Sequence, residues 1–225
     1  MPLHRAEVTA AWDEGPLMCG VRLADAPAYR AGQALRVQAA GTSALFAFAR
    51  AHGHGRAPEL LLRRGGVVAD ALIATLSPGS TLTFEAPVGP GFPIEPARGR
   101  DVLLVAAGSG ISAIRAALEA LLDERAAYGR LALYYGQEEE QHFAYAAARR
   151  AWQEAGVEVV LCARTPSPGW RGERGVVQDV LAARTPGIDP THAIAYLCGM
   201  SEMIVAVRAA LAGLGLAPER TYLNY

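Results

Sequence analysis

The sequence predicts two domains: a small antiparallel β-barrel, then an α/β domain whose parallel sheet carries helices on both faces. Three observations lead there. The first ~95 residues hold short apolar runs punctuated by Gly, Pro, Asp and His, the rhythm of a small barrel. A Pro- and Gly-dense stretch, PVGPGFPIEPARGR (87–100), then interrupts the chain. Beyond it, continuous apolar strands alternate with helix-period segments, which implies right-handed crossovers. We therefore divide the chain at 1–97 and 98–225.

In the first part the expected strands are EVTAAW (7–12), MCGVRLA (18–24), ALRVQAA (34–40), LFAFA (45–49), ELLLRR (59–64) and TLTFEA (81–86). One helix, VVADALIATL (67–76), interrupts them, and AHGHGRAP (51–58) is the clearest loop. In the second part DVLLVAA (101–107) is apolar throughout, as burial on both faces requires. A helix follows with Ile111, Ile114, Leu118, Leu121 and Leu122 on one stripe. LALYYG (131–136) is the next strand, followed by a helix over roughly 138–155 in which Glu138, Glu139 and Glu140 would complement the first-turn dipole. VEVVLCA (157–163), a short helix in GVVQDVLAA (175–183) and AIAYLCG (193–199) come next. A helix bearing Met203, Ile204, Val207, Leu211 and Leu214, and a last strand in TYLNY, close the chain.

Composition bounds the function. The chain has 225 residues, 52% of them hydrophobic, enough for a proper core, and a formal charge of −1. That charge balance gives no nucleic-acid footprint. No apolar run approaches the ~20 residues of a membrane helix. The N-terminus lacks a signal-peptide pattern, so the expected location is the cytoplasm. Cys19, Cys162 and Cys198 are far apart with no CxxC, which argues against zinc, iron–sulfur and disulfide frameworks. His52 and His54 share a loop but lack a third ligand, so no metal site is expected. Every basic residue is arginine, which excludes a Walker-type P-loop and a pyridoxal Schiff base.

The stretch VAAGSGISAIR (105–115) carries the first chemical signal. The amides of Gly108–Ile111 lie where a strand yields to a helix, glycines permit close approach, and a helix N-terminus favours an anion. By itself GSG fits an ordinary βα turn equally well. Other strand ends add weight: Gly136-Gln137, Arg164-Thr165 and Cys198-Gly199-Met200 should all lie on the edge where open parallel sheets bind ligands.

GSGISAIR, LYYGQEEEQHFAY, ARTPSPGWRGERGVVQDVL, CGMSEMIVAV and a terminal aromatic occur in that order. They resemble the NAD(P)H-binding half of the ferredoxin–NADP⁺ reductase superfamily. YRAGQALRV (29–37), RRGGVVADAL (63–72) and APVGPGF (86–92) resemble its flavin-binding barrel. The resemblance implies an enzyme that uses FAD and passes a hydride between NADP or NAD and the flavin. It places Gly108, Ser109 and Gly110 against the nucleotide pyrophosphate, and Cys198 and Gly199 by the nicotinamide. It puts Met203 beneath the adenine side, with Met200 beside it. Gly136 and Gln137 would let the nucleotide cross the sheet edge. Arg164 stands where NADP-selective members hold the 2′-phosphate, with Arg171 and Arg174 near. Tyr225 would stack on the flavin ring. Cys198 and Tyr225 are thus the expected catalytic residues.

The departures lie on the flavin side. The superfamily's Arg-x-Tyr-Ser motif is replaced by Ala44-Leu45-Phe46-Ala47. Phe46 is expected to stack in place of the tyrosine, with Ala47 and Phe48 beside it. The amides of Gly66, Val67 and Val68, after Gly65, are expected to take the flavin pyrophosphate, and Arg50, Arg63 or Arg64 to restore the lost charge. LFAFAR is similar to variants in a plant and bacterial branch of oxidoreductase-like proteins. The sequence thus predicts an NAD(P)H-dependent flavin oxidoreductase delivering electrons to a small molecule or redox protein. The alternative is a barrel that has lost its flavin, leaving a nucleotide sensor or partner-binding module.

Overall fold

The computed structural model describes residues 2–184 and 187–225. The first half contains β1 (Leu3–Asp13), β2 (Met18–Leu23), β3 (Ala34–Ala39), β4 (Thr42–Ala47), β5 (Glu59–Arg63), α1 (Val67–Thr75) and β6 (Thr81–Val88). Its six strands form one antiparallel sheet in the order β4-β3-β6-β1-β2-β5. A bridge between Phe48 and Leu60 ties its two edges, so the sheet nearly closes into a barrel. Val8, Val21, Leu23, Leu35, Phe48, Leu62 and Phe84 fill it, and α1 caps one end with Val68, Ala69 and Leu72.

The second half contains β7 (Val102–Ala107), α2 (Ile111–Asp123), β8 (Leu131–Gln137), α3 (Ala146–Glu154), β9 (Val157–Ala163), β10 (Glu173–Arg174), α4 (Val177–Ala183), β11 (Ile194–Cys198), α5 (Ser201–Gly213) and β12 (Thr221–Leu223). The strands pair in parallel in the order β10-β9-β8-β7-β11-β12. Alternation along β7 shows how both faces are covered. Val102, Leu104 and Ala106 pack with α2 and α3, while Leu103 and Val105 pack with α4 and α5. Among the described residues no helix is long and apolar enough to cross a membrane.

The expected fold class is the observed one, with local corrections. The helix expected over 138–155 begins only at Ala146, after a left-handed residue, Tyr145, at φ 63°. Glu138–Glu140 therefore do not open it. Glu138 accepts from the Thr165 hydroxyl and Glu140 from the Ser167 amide, so these acids fasten the loop after β9. β10 is two residues long and pairs with β9, too short to carry any sequence period. β4 starts at Thr42 rather than at 45.

The barrel docks on α2 through a buried ion network. Glu59 on β5 is 3% exposed and accepts from Arg115 of α2 at 3.0 Å and from Arg22 at 2.9 Å. Glu119, one turn along α2, takes Arg115 at 3.0 Å, Arg50 at 2.9 Å and the Ala51 amide at 3.1 Å. The Arg115 guanidinium also lies 4.4 Å over the Tyr145 ring. Met18, Ala49 and Leu61 of the barrel join the sheet's own core around this network. Breaking one member leaves a buried charge unpaired, so Glu59→Ala is expected to cost about 3–5 kcal/mol in urea unfolding. Glu59→Leu combined with Arg115→Met should recover most of that loss; a double variant as unstable as Glu59→Ala would refute this account.

Candidate functional site

All the parallel strands deliver their carboxyl ends to one edge, and that edge faces β4, β5 and the start of α1. Between them lies a cleft of ≈ 1240 Å³. An ordinary small-molecule pocket measures roughly 300–1,000 Å³, so there is room for an extended or double occupant.

On the sheet side, β7 ends at Ala107 and Gly108 turns the chain at φ 57°, leading through Ser109 and Gly110 into α2. Gly110 is dictated by packing: a Cβ there would sit 2.3 Å from the Cys198 carbonyl oxygen. The start of α2 thus lies directly against the end of β11. Gly199 is similarly constrained, since its Cβ would meet Met203 Cε at 2.8 Å. At the end of β8 a Cβ on Gly136 would come within 3.1 Å of Val177 Cβ. Gln137 donates to the Tyr135 hydroxyl at 2.6 Å. Arg164 lies beyond β9, largely exposed, with Glu138 at 3.5 Å.

The cleft gathers most of the expected residues. Phe46, Ala47, Gly65, Gly66, Val67 and Val68 line it from the barrel. Gly108, Ser109, Gly110, Gly136, Gln137, Arg164, Cys198, Gly199, Met200, Met203 and Tyr225 line it from the sheet. Two expected residues lie elsewhere. Phe48 is fully buried inside the barrel, its ring stacked 3.7 Å from that of Tyr29. Ile111 is fully buried and anchors α2. Phe46 reaches the cleft but packs in the barrel core at 9% exposure; Leu45, 50% exposed, is the apolar side chain that β4 presents there. Leu45, Val67, Met200 and Tyr225 form an exposed apolar rim.

The charge candidates also separate. Arg50 is held by Glu119 and Glu59 in the domain seam, away from the cleft. Arg64 lines the cleft but pairs with Asp13. Arg174 donates to the carbonyls of Ser167 and Pro168, so it braces its own loop.

Thr42, Ser43, Gly89 and Asn224 line the cleft and were missed in the sequence. Asn224 is the most informative. Its Nδ2 donates to the Gly32 carbonyl at 3.1 Å, which fixes the amide's orientation. Its buried Oδ1 has no partner among the described residues. A buried orphan acceptor costs about 1–3 kcal/mol and signals a missing donor. Asn224 thus ties the end of the chain to the barrel where the two domains meet. The one sequence signal for Asn224 was its place beside Tyr225.

Burial alone sets the Cys198 thiol, 9% exposed, up to about 12 from its ordinary 9.0. It is a neutral thiol that fills space between the end of β11 and α2, not a thiolate nucleophile. The folded protein therefore keeps this proton above pH 9 while the unfolded chain loses it, and stability falls as pH rises there. Cys198→Ala should flatten that alkaline fall by about 1.4 kcal/mol per pH unit in pH-dependent urea unfolding. An unchanged slope would show the thiol titrating normally in the folded state.

Residues 104–209 match the family model of the oxidoreductase NAD-binding domain. The chain is 29% identical over 171 residues to the gamma subunit of sulfhydrogenase 1 of Pyrococcus furiosus, an alignment covering 74% of this chain and 57% of that one. It is 30% identical over 166 residues to fruit protein pKIWI502 of Actinidia deliciosa, covering 72% and 52%. The chain thus spans about half the length of these curated relatives. Among solved structures, the ferredoxin NADP⁺ reductase of Neisseria gonorrhoeae with bound FAD and NADP superposes with a TM-score of 0.83 at 18% identity, over 99% of this chain and 98% of that one. The cytochrome b5 reductase domain of Ulva prolifera nitrate reductase gives 0.84 at 16% identity, over 99% and 97%. Barrel, parallel sheet and the cleft between them give this chain the two-domain fold of these ferredoxin and cytochrome b5 reductases, and its residues 104–209 belong to the oxidoreductase NAD-binding domain family.

Proposed function

We propose that the chain is an NAD(P)H-dependent, FAD-containing oxidoreductase unit, with 1–97 as its flavin domain and 98–225 as its nucleotide domain. One observation carries this reading: two glycine-opened helix starts, one from the barrel and one from the sheet, face a single cleft large enough for two dinucleotides side by side. FAD supplies two-electron acceptance from a nicotinamide and onward release of electrons singly or in pairs.

The chain's own work is positioning. The first-turn amides of α1, at Gly66, Val67 and Val68, have no intrahelical partners and suit one pyrophosphate. The amides of Gly108–Gly110 suit the other. Gly136 and Gly199 keep the floor low enough for a planar base to lie across the strand ends. Cys198, a neutral thiol, gives the reacting rings a soft uncharged wall. Leu45, Val67, Met200 and Tyr225 exclude water from the upper edge, and Tyr225 is the aromatic available to cover a ring. The acceptor is a small molecule or a redox protein reached through that rim. Three free buried thiols fit the reducing cytoplasm.

The alternative, a nucleotide-binding module without flavin, draws on Ala44 in place of an arginine and on Phe46 being packed into the barrel core. One experiment separates the two. Purified protein, after incubation with FAD, should show bound flavin absorbance that bleaches anaerobically with NADPH or NADH. Nucleotide binding without flavin binding would leave only the module. For the nucleotide preference, Arg164→Ala should raise the KM for NADPH severalfold, the modest effect of an exposed charge, and leave that for NADH unchanged. Equal changes for both would remove Arg164 from the 2′-phosphate role.

A further inference from the structure

We infer that Arg63 is a phosphate clamp spanning the domain seam, which binds the pyrophosphate of a dinucleotide between the α1 and α2 helix starts. The inference rests on the cleft being the dinucleotide site proposed above, and assigns its charge.

The argument is by position and elimination. Two barrel arginines line the cleft, Arg63 and Arg64. Arg64 is engaged by Asp13. Of the barrel arginines away from the cleft lining, Arg22 pairs with Glu59, Arg36 with Glu85, Arg50 with Glu119 and Arg56 with Asp123, while Arg5 and Arg30 do not reach the cleft. Arg63 is exposed, and its side chain has no hydrogen bond or ion pair among the described residues. It ends β5, two residues before the Gly65-Gly66 turn that opens the nine-residue helix α1. Its Nη1 nevertheless reaches the opposite domain, 3.6 Å from where a Cβ on Gly108 would stand. One guanidinium, with five N–H donors, therefore sits between the first-turn amides of α1, from Gly66 to Val68, and the Gly108–Gly110 turn, both of which favour an anion. Asp70, in the first turn of α1, takes the Gly65 amide at 2.9 Å, which leaves those of Gly66 to Val68 for an anion. Across the cleft, the buried Asn224 side chain leaves its Oδ1 without a partner among the described residues.

The phosphate anhydride that fits here is common to FAD and NADP⁺, and three ligands separate the sources. Full-length wild type and Arg63→Ala are titrated with FAD, NADP⁺ and riboflavin, which keeps the flavin ring but carries no phosphate, and binding is followed by fluorescence. Arg63→Ala should weaken FAD, NADP⁺ or both about tenfold and leave riboflavin unchanged. Loss confined to FAD assigns the clamp to the flavin pyrophosphate, loss confined to NADP⁺ to the nicotinamide nucleotide, and loss of both to a bridge. Arg63→Lys, which keeps the charge without the fork, should fall between. Wild-type affinity should drop more steeply with salt than that of Arg63→Ala. Because the side chain is exposed and unpaired, the unliganded melting temperature should not move. Unchanged affinity for both dinucleotides, or an equal loss for riboflavin, overturns the clamp. Wild type that binds neither dinucleotide overturns the underlying reading as well.

Discussion

The bond between Glu59 and Arg115 is the constraint on which the cleft depends. It is a charge pair removed from water, joining a barrel strand to a sheet helix, with Arg22, Arg50 and Glu119 sharing its charge. Apolar surface alone would allow the barrel to slide over α2, because dispersion and burial have no direction. Buried hydrogen-bonded charges tolerate no such slip. The network sits one turn into α2, so the registration it fixes passes directly to the Gly108–Gly110 turn. The geometry of the cleft is therefore inherited from a polar interaction outside its lining.

The two halves differed in legibility for a physical reason. A strand buried on both faces must be apolar throughout, and helices covering it must show a stripe. β7, β8, β9 and β11 were therefore read nearly to their ends, and so were α2 and α5. The error over 138–155 has a local cause. LYYGQEEEQHFAY contains acids that serve a helix start and a loop equally well, and only contacts with Thr165 and Ser167 on another segment decide between them. Charge partners were the least legible feature. Arg50, Arg63 and Arg64 are near neighbours in composition and context, yet one is locked in the seam, one is uncommitted and one is tied to Asp13. Those fates depend on strand register and on residues from 13 to 119, which no local window contains. Asn224 was missed for the same reason, since its partner Gly32 is 192 positions away.

The barrel wall departs from the Arg-x-Tyr-Ser motif, yet the cleft beside it keeps polar lining. Ala44, Leu45, Phe46 and Ala47 carry neither charge nor hydroxyl, yet the cleft still has polar groups from Thr42 and Ser43 at the start of β4, backbone amides at α1 and Asn224 from the last strand's far end. These polar groups are neighbours in space and come from three separate segments of the chain. A motif scan along the chain registers the loss and cannot register the replacements.

α2 has a mechanical consequence. It runs thirteen residues, about 20 Å, as one rod. Its first turn abuts β11 at Gly110, its middle is gripped by Glu59 and Arg50, and its last residue, Asp123, is held by Arg56 at 2.7 Å. A rod pinned at three points cannot act as a hinge. The two domains form a jaw of fixed gape, and the width of the cleft is set by that rod. At its open edge the cleft is bordered by the final residue, Tyr225, which is 60% exposed.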